Sequence, residues 1–229
     1  MKRNKKPFVF LCTGMSLDGK LSNYKKEQID ICTDDDKKFR EDYKIIADGV
    51  MVGGSTLIQD DPSLTVKTKE RQIKRIKSGK SPEPIKVGVI SNANNLKIKG
   101  DFFDKGKTSK IIFTTTQTPQ RKVEEIEKKA KVYILGNKGV NLEKAMSILY
   151  KLGVKKLMVE GGGELIFSLL RNNLVDEINL KIGNLIVGGR NSVTFVSGRG
   201  FDKLTAKKVK FIRIIKKPNY LIVKAKIIN

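Results

Sequence analysis

The sequence predicts an α/β fold: a mostly parallel sheet with flanking helices, finished by antiparallel strands at the C-terminus. Three observations predict it. Short apolar runs alternate with stretches of helical spacing over most of the chain. Glycine-bearing loops follow several of those runs, where strands of such a sheet end. From residue 177 the pattern changes to alternation and then to two strand-like runs around Lys217-Pro218-Asn219.

In order, 7–14 (PFVFLCTG) reads as a strand. Thr33 reads as the N-cap of a helix that carries Phe39, Tyr43 and Ile46, with acids at its start where the helix dipole favours them. GVMVGG (49–54) is a buried strand running into a turn. The strongly basic 67–80 reads as an exposed excursion ahead of Pro82 and Pro84. Strands follow at 85–90, 109–115 and 131–135, and Thr118-Pro119 opens a helix between the last two. Asn141 caps a helix bearing Ala145, Met146, Leu149 and Leu152. KKLMVE (155–160) is a strand and 163–172 a helix. Ile178, Leu180 and Ile182 alternate with Glu177, Asn179 and Lys181, as in a half-exposed strand. Runs 207–215 and 219–228 close the chain. No repeat or flexible linker interrupts the pattern, so 1–229 reads as a single domain.

Composition narrows the chemistry. No apolar run approaches the ~18 residues of a membrane span. The basic N-terminus precedes only about six apolar residues, short of the ~7–15 of a signal peptide, so the expected location is the cytoplasm. Histidine is absent and the two cysteines, Cys12 and Cys32, stand apart. That removes histidine triads, imidazole bases and zinc motifs together, and no metal is expected. The net charge of +23 suits an anionic partner. Only 9 of the 47 basic residues are arginine and tryptophan is absent, which argues against nucleic acid and leaves a membrane surface, a phosphorylated small molecule or a merely lysine-rich proteome.

Two familiar glycine motifs fail. GDFFDKGKT (100–108) has one residue too many for a P-loop, and its two aspartates would repel phosphate, so it reads as a surface turn. In VEGGGELIFSLL (159–170) the third glycine of a dinucleotide fingerprint would fall at Ile166, and Asp176 and Glu177 come too early for the acid expected about 20 residues on. The physics of that loop survives. A strand leading through Gly161-Gly162-Gly163 into a helix offers bare amides and the positive end of a helix dipole to an anion. VGGST (52–56) and GMSLDGK (14–20) repeat the theme, the latter with Lys20 as an anion contact or else as a plain Asp-Gly turn.

MSLDGKLS, ADGVMVGGSTLIQDDPSLTV and VEGGGELIFSLLRNNLVDEI, in this order and spacing, resemble the reductase of riboflavin biosynthesis. The likeness is to the stand-alone form of archaea and fungi, and to the C-terminal half of the bacterial deaminase-reductase. It implies a dihydrofolate-reductase-like fold, a homodimer, and NADPH-dependent reduction of 2,5-diamino-6-ribosylamino-4(3H)-pyrimidinone 5′-phosphate to the ribitylamino product. Carried over by position, it implies cofactor contacts at Gly14, Thr56, Asp60, Ser91 and Gly161 to Leu165. It implies substrate contacts at Leu64 and Glu160, with Lys44 and Lys67 standing where bacterial relatives hold the 5′-phosphate with arginine. Lys20, Asp60 and Glu160 are the implied polar catalytic groups. Glu164, Lys86, Ile90 and Gly183-Asn184 depart from the family's pattern. If Glu164 points outward it serves the helix start; if inward it opposes a phosphate, so NADH stays possible. The alternatives are a related reductase of another pteridine or pyrimidine, and a basic nucleic-acid-binding protein.

Overall fold

The computed structural model describes residues 5–27, 29 and 35–228, with 35–37 described by backbone alone. The expected cap at Thr33, and Cys32, lie outside the described residues. The chain forms two compact units. One takes Asp42–Met158 with the residues up to Phe8; the other takes Val9–Glu41 and Val159–Asn229.

In the first unit the strand order is β5-β4-β3-β2-β6: β5 (Lys131–Ile134), β4 (Lys110–Thr114), β3 (Ile85–Val89), β2 (Gly49–Gly53) and the start of β6 (Lys156–Gly161). β2 with β3, β3 with β4 and β4 with β5 are parallel, in the register Met51↔Val87, Val87↔Ile111 and Phe113↔Tyr133. All five residues of β2 are buried, as its unbroken apolar run demands. α6 (Leu142–Lys151) buries Leu142, Ala145, Met146 and Leu149, one stripe at helical spacing. The Asn141 side chain accepts from the Lys144 amide at 2.9 Å, as expected of a cap. In α5 (Gln120–Glu127) the cap is Pro119. Thr118, expected there, instead accepts from the Ala93 amide and bonds to Thr114.

Two basic or polar excursions prove to be anchored helices. Residues 67–80 contain α3 (Lys69–Lys77), started by Thr68, whose hydroxyl accepts from Arg71. Arg75 is 1% exposed. Its guanidinium donates to the carbonyls of Lys44 and Ala47, at the end of α1 (Asp35–Ile46), and to Ser81. The final carbonyls of a helix have no partner of their own, and Arg75 supplies one from about 30 residues away in sequence. Residues 100–108, expected as a surface turn, contain α4 (Asp101–Asp104) with Phe102 and Phe103 buried. The Asp61 carboxylate accepts from the amides of Asp101 and Phe102, at 2.7 and 3.0 Å. Lys86, fully buried on β3, donates to the carbonyls of Asp101, Phe102 and Lys105. One carboxylate and one ammonium thus hold the two ends of a single helical turn.

In the second unit the order is β6-β1-β7-β9-β8, with β1 (Phe8–Met15), β7 (Glu177–Gly183), β9 (Tyr220–Ile228) and β8 (Lys208–Lys217). β1 and β7 are parallel; β7 with β9 and β9 with β8 are antiparallel. α7 (Gly163–Arg171) follows β6. β7 departs from its half-exposed reading: the polar face is the buried one, with Asn179 at 0% and Lys181 at 1% exposure. Glu177 and Asn179 are satisfied there by hydrogen bonds and an ion pair, whereas the buried Lys181 ammonium has no hydrogen-bond partner among the described residues and meets an aromatic ring instead. Asn179 donates to Glu177 at 3.0 Å and to the Leu11 carbonyl, and Lys224 pairs with Glu177 at 3.1 Å. Lys181 lies 4.0 Å from the centre of the Tyr220 ring. In β8 an irregularity at Ile212 carries the pairing from Phe211↔Ala225 to Arg213↔Lys224. The extra residue keeps Lys208, Lys210 and Arg213 on one face and Val209, Phe211 and Ile214 on the other.

Burial lowers the Lys86 ammonium to about 8, with neighbouring Lys110 adding to the effect. The folded protein therefore sheds this proton near pH 8, whereas the unfolded chain keeps it to about 10.5. Between those values the unfolded chain binds more protons, so this group's contribution to stability rises with pH. Urea midpoints at pH 7 and pH 10 should show that increment in the wild type and lose it in Lys86→Met.

Candidate active site

In the second unit the strand end at Gly14 lies opposite Lys181 in the β1–β7 ladder. Beyond it, residues 16–19 form a turn in which the Gly19 amide donates to the Ser16 carbonyl and Gly19 takes φ +80. The Asp-Gly turn is thus present, and Asp18 anchors it. Its carboxylate accepts from the Ser16 hydroxyl at 2.6 Å and from the amides of Val187 and Gly188 at 3.0 and 2.7 Å. Those bonds, the serine's first, pull Asp18 down to about 2. Lys20 follows, half-buried, its backbone bridged to Thr194.

A strap at 193–198, which sequence reasoning missed, joins this turn to the start of α7. Leu21 donates to Val193, Phe195 to Gly19 and Ser197 to Gly163. The strap has no apolar period and no motif, so no sequence signal marks it.

The three glycines have different reasons. Gly161 takes φ +136, where glycine alone is comfortable, and its bond to Gly162 is cis. At Gly163 an added Cβ would lie 2.3 Å from the Thr194 carbonyl oxygen and 2.4 Å from the Ser197 hydroxyl. The strap itself excludes a side chain there. Gly162, the N-cap of α7, sits at φ −80 and ψ −175, a conformation open to any residue, and no side chain caps the helix. Of the three, Gly162 is the one whose backbone angles leave its identity unexplained. Glu164 turns outward. Its carboxylate accepts from the Gly198 amide at 2.9 Å, so it binds the strap. Leu165 is buried, and Glu160 is half-buried near the end of β6.

In the first unit β2 and β3 are parallel neighbours, so the segments after them lie together. A Cβ on Gly54 would stand 2.8 Å from the Ile90 side chain. That brings the α2 (Gly54–Gln59) turn carrying Thr56 beside Ser91, whose carbonyl is held by the Thr115 hydroxyl at 2.7 Å. Asp60 is the C-cap of α2 and exposed. Leu64, at φ 51, is buried, so little of it reaches solvent. Lys44 is also buried, and its ammonium donates to the Thr65 carbonyl at 3.3 Å. It is committed to the segment that carries Lys67, whereas Lys67 itself is exposed. Among the described residues no group of three His, Cys, Asp or Glu could hold a metal, and no helix is long and apolar enough to cross a membrane.

The family model described as the RibD C-terminal domain matches residues 7–219. The chain belongs to the RibD C-terminal domain family. It is 38% identical over 198 residues to the 2,5-diamino-6-ribosylamino-4(3H)-pyrimidinone 5′-phosphate reductase of Archaeoglobus fulgidus, covering 86% of this chain and 90% of that one. To the protein of the same name from Aquifex aeolicus it is 35% identical, covering 87% and 86%. Among solved structures, a pyrimidine reductase-like protein from Corynebacterium diphtheriae superposes with a TM-score of 0.83 at 17% identity, over 99% of this chain and 93% of that one. A deaminase/reductase from Thermotoga maritima superposes at 0.74 and 22% identity, with this chain spanning 57% of it. The dihydrofolate-reductase-like α/β architecture expected from the sequence is the one observed. Within this RibD C-terminal domain, the uncapped, glycine-started α7 fits a pyridine dinucleotide's diphosphate: a nine-residue helix presents its first amides with no side chain closing them.

Gly163→Ala should displace the strap. The clash is with main chain, so an overpacking loss of about 1–3 kcal/mol is expected in urea unfolding. Unchanged stability would mean the strap is not seated on α7.

Proposed function

We propose that this chain reduces the ribosylamino side chain of 2,5-diamino-6-ribosylamino-4(3H)-pyrimidinone 5′-phosphate to the ribitylamino product in riboflavin biosynthesis, with NADPH as reductant. The observation that carries the reading is the 38% identity to the Archaeoglobus fulgidus reductase over nearly all of both chains. Reduced nicotinamide, when bound, supplies the hydride. The ribosylamine opens to an imine, C1′ takes the hydride and the nitrogen takes a proton.

The residues of this chain bind and orient. The amides from Gly161 to Leu165 hold the diphosphate, with Gly14, Thr56, Asp60 and Ser91 as further cofactor contacts. Because Glu164 is engaged with Gly198, its charge is turned to the strap and does not oppose a 2′-phosphate, which favours NADPH over NADH. Glu160 accepts from amino groups of the pyrimidine, and Leu64 borders the ring through its backbone. Lys67 takes the 5′-phosphate as a point charge; Lys44 supports the segment that presents it. Lys20, Asp60 and Glu160 are the polar groups available to place the proton. The substrate is a small phosphorylated pyrimidine rather than a nucleic acid. Charged substrate and cofactor do not cross membranes unaided, which suits a cytoplasmic enzyme.

The assembly is a homodimer closed through the apolar face of β7, β9 and β8. Phe211 and Ile214 are 62% and 58% exposed on that face, next to Leu221 and Val223. A chain of net charge +23 repels its copy wherever cations face each other. This nearly uncharged face is where two copies can meet, and apolar patches of this kind mark interaction sites.

Purified protein with NADPH and the ribosylaminopyrimidine phosphate should lose absorbance at the reduced-nicotinamide band. Consumption with dihydrofolate instead would move the reading to a related reductase, and no consumption with either would end it. Lys67→Ala should raise the KM for the pyrimidine phosphate by about tenfold and leave that for NADPH nearly unchanged; an equal rise in both would remove Lys67 from the substrate site. Phe211→Lys should halve the mass measured by light scattering on a sizing column. A wild type already at the single-chain mass would dispose of the dimer.

A further inference from the structure

The second unit carries a cationic cleft that the reductase reading leaves unused. It has a volume of about 580 Å³ and is lined by Arg171, Arg199, Phe201, Asp202, Thr205 and Lys207. That volume lies in the range of small-molecule sites. Arg171 is the last residue of α7, and the glycine loop is at its other end. At 1.5 Å per residue, the eight steps from Gly163 to Arg171 put that end of the helix roughly 12 Å from its first residue.

We propose that this cleft binds the phosphate or diphosphate group of a small molecule, as an anion site separate from the glycine loop. Three cations converge there against one carboxylate. That carboxylate is already engaged: Asp202 accepts from the amides of Leu204 and Thr205 at 2.9 and 2.8 Å, and from the Thr205 hydroxyl. Arg199 has no hydrogen-bond or ion-pair partner among the described residues. Lys207 is positioned by the Asn173 side-chain oxygen at 2.8 Å. Gathering like charges costs free energy that a bound oxyanion returns. The main chain is bare at Gly200, which takes φ +78 and has nothing within 4 Å of where a Cβ would stand, so an oxyanion can approach the backbone directly.

The aromatic ring in the cleft tells phosphate apart from a nucleobase. Phe201 packs on Phe167 with ring centres 5.0 Å apart, and the Lys207 ammonium lies 5.7 Å from its centre. With both neighbours in place the ring has little room to stack a base, as single-stranded nucleic-acid sites do. Its part is to hold the lysine over the opening.

Calorimetric titration of NADPH-saturated protein with pyrophosphate, in roughly 150 mM salt where long-range attraction is screened, tests this. One saturable site per chain is expected. Arg199→Ala and Lys207→Ala should each weaken it by about tenfold or more, while retaining the wild-type melting temperature and NADPH oxidation. ADP should bind at least as well as pyrophosphate, and adenosine should not bind. The proposal is overturned by the absence of saturable heat, by many weak sites per chain, by loss of binding when NADPH is present, or by variants that bind like the wild type. Because the readout is binding, it stands or falls independently of the reductase activity.

Discussion

The close approach of the 193–198 strap to the first residue of α7 organises the second unit. The Ser197 amide reaches the Gly163 carbonyl, and the Thr194 carbonyl occupies the space a side chain at Gly163 would need. Through Phe195 and Leu21 the same strap holds the turn that carries Lys20. A helix start, a glycine loop and a lysine-bearing turn are thereby fixed against one another largely by main-chain bonds, with the Glu164 carboxylate adding a side-chain contact to Gly198. Such bonds do not depend on which rotamers the surface side chains choose, and preorganisation of this kind favours a site that must hold two ligands in line.

In the first unit the corresponding work is done by buried cations. Arg75 closes the end of α1, Lys86 closes the single turn of α4, and Lys44 holds the segment before α3. Each gives its donors to backbone carbonyls that a helix end or a loop leaves unsatisfied. A lysine-rich composition is therefore not only surface charge. Part of it replaces the glycine and water that usually terminate helices, at the cost of burying an ammonium or guanidinium.

The architecture was legible because its signals are local. The buried run 49–53, the stripe Leu142, Ala145, Met146 and Leu149, and the cap at Asn141 each declare themselves within a few residues. What escaped depends on partners far along the chain. Residues 67–80 look like a solvated basic run until Arg75 meets carbonyls some 30 positions earlier. The polar side of β7 looks exposed until Lys224 pairs with Glu177 and the Leu11 carbonyl takes the Asn179 amide. The glycine loop was recognised, but its cause was only partly legible: a backbone conformation accounts for Gly161 and the strap for Gly163, and neither reason could be read from three glycines in a row.

The single unpaired residue in β8 gives the hairpin a parity. Before Ile212 the cations fall on even-numbered positions and after it Arg213 is odd, yet all three point the same way because one residue has been skipped in the pairing. A chain shortened by that one residue would bring Phe211↔Ala225 and Arg213↔Lys224 into consecutive pairs and leave every side chain on its present face. Ile212 is thus the one place in the strand where a single residue is spare; in the regular part of the ladder a lone insertion or deletion turns one side of the strand over, so length changes there belong in pairs or at the Pro218-Asn219 tip.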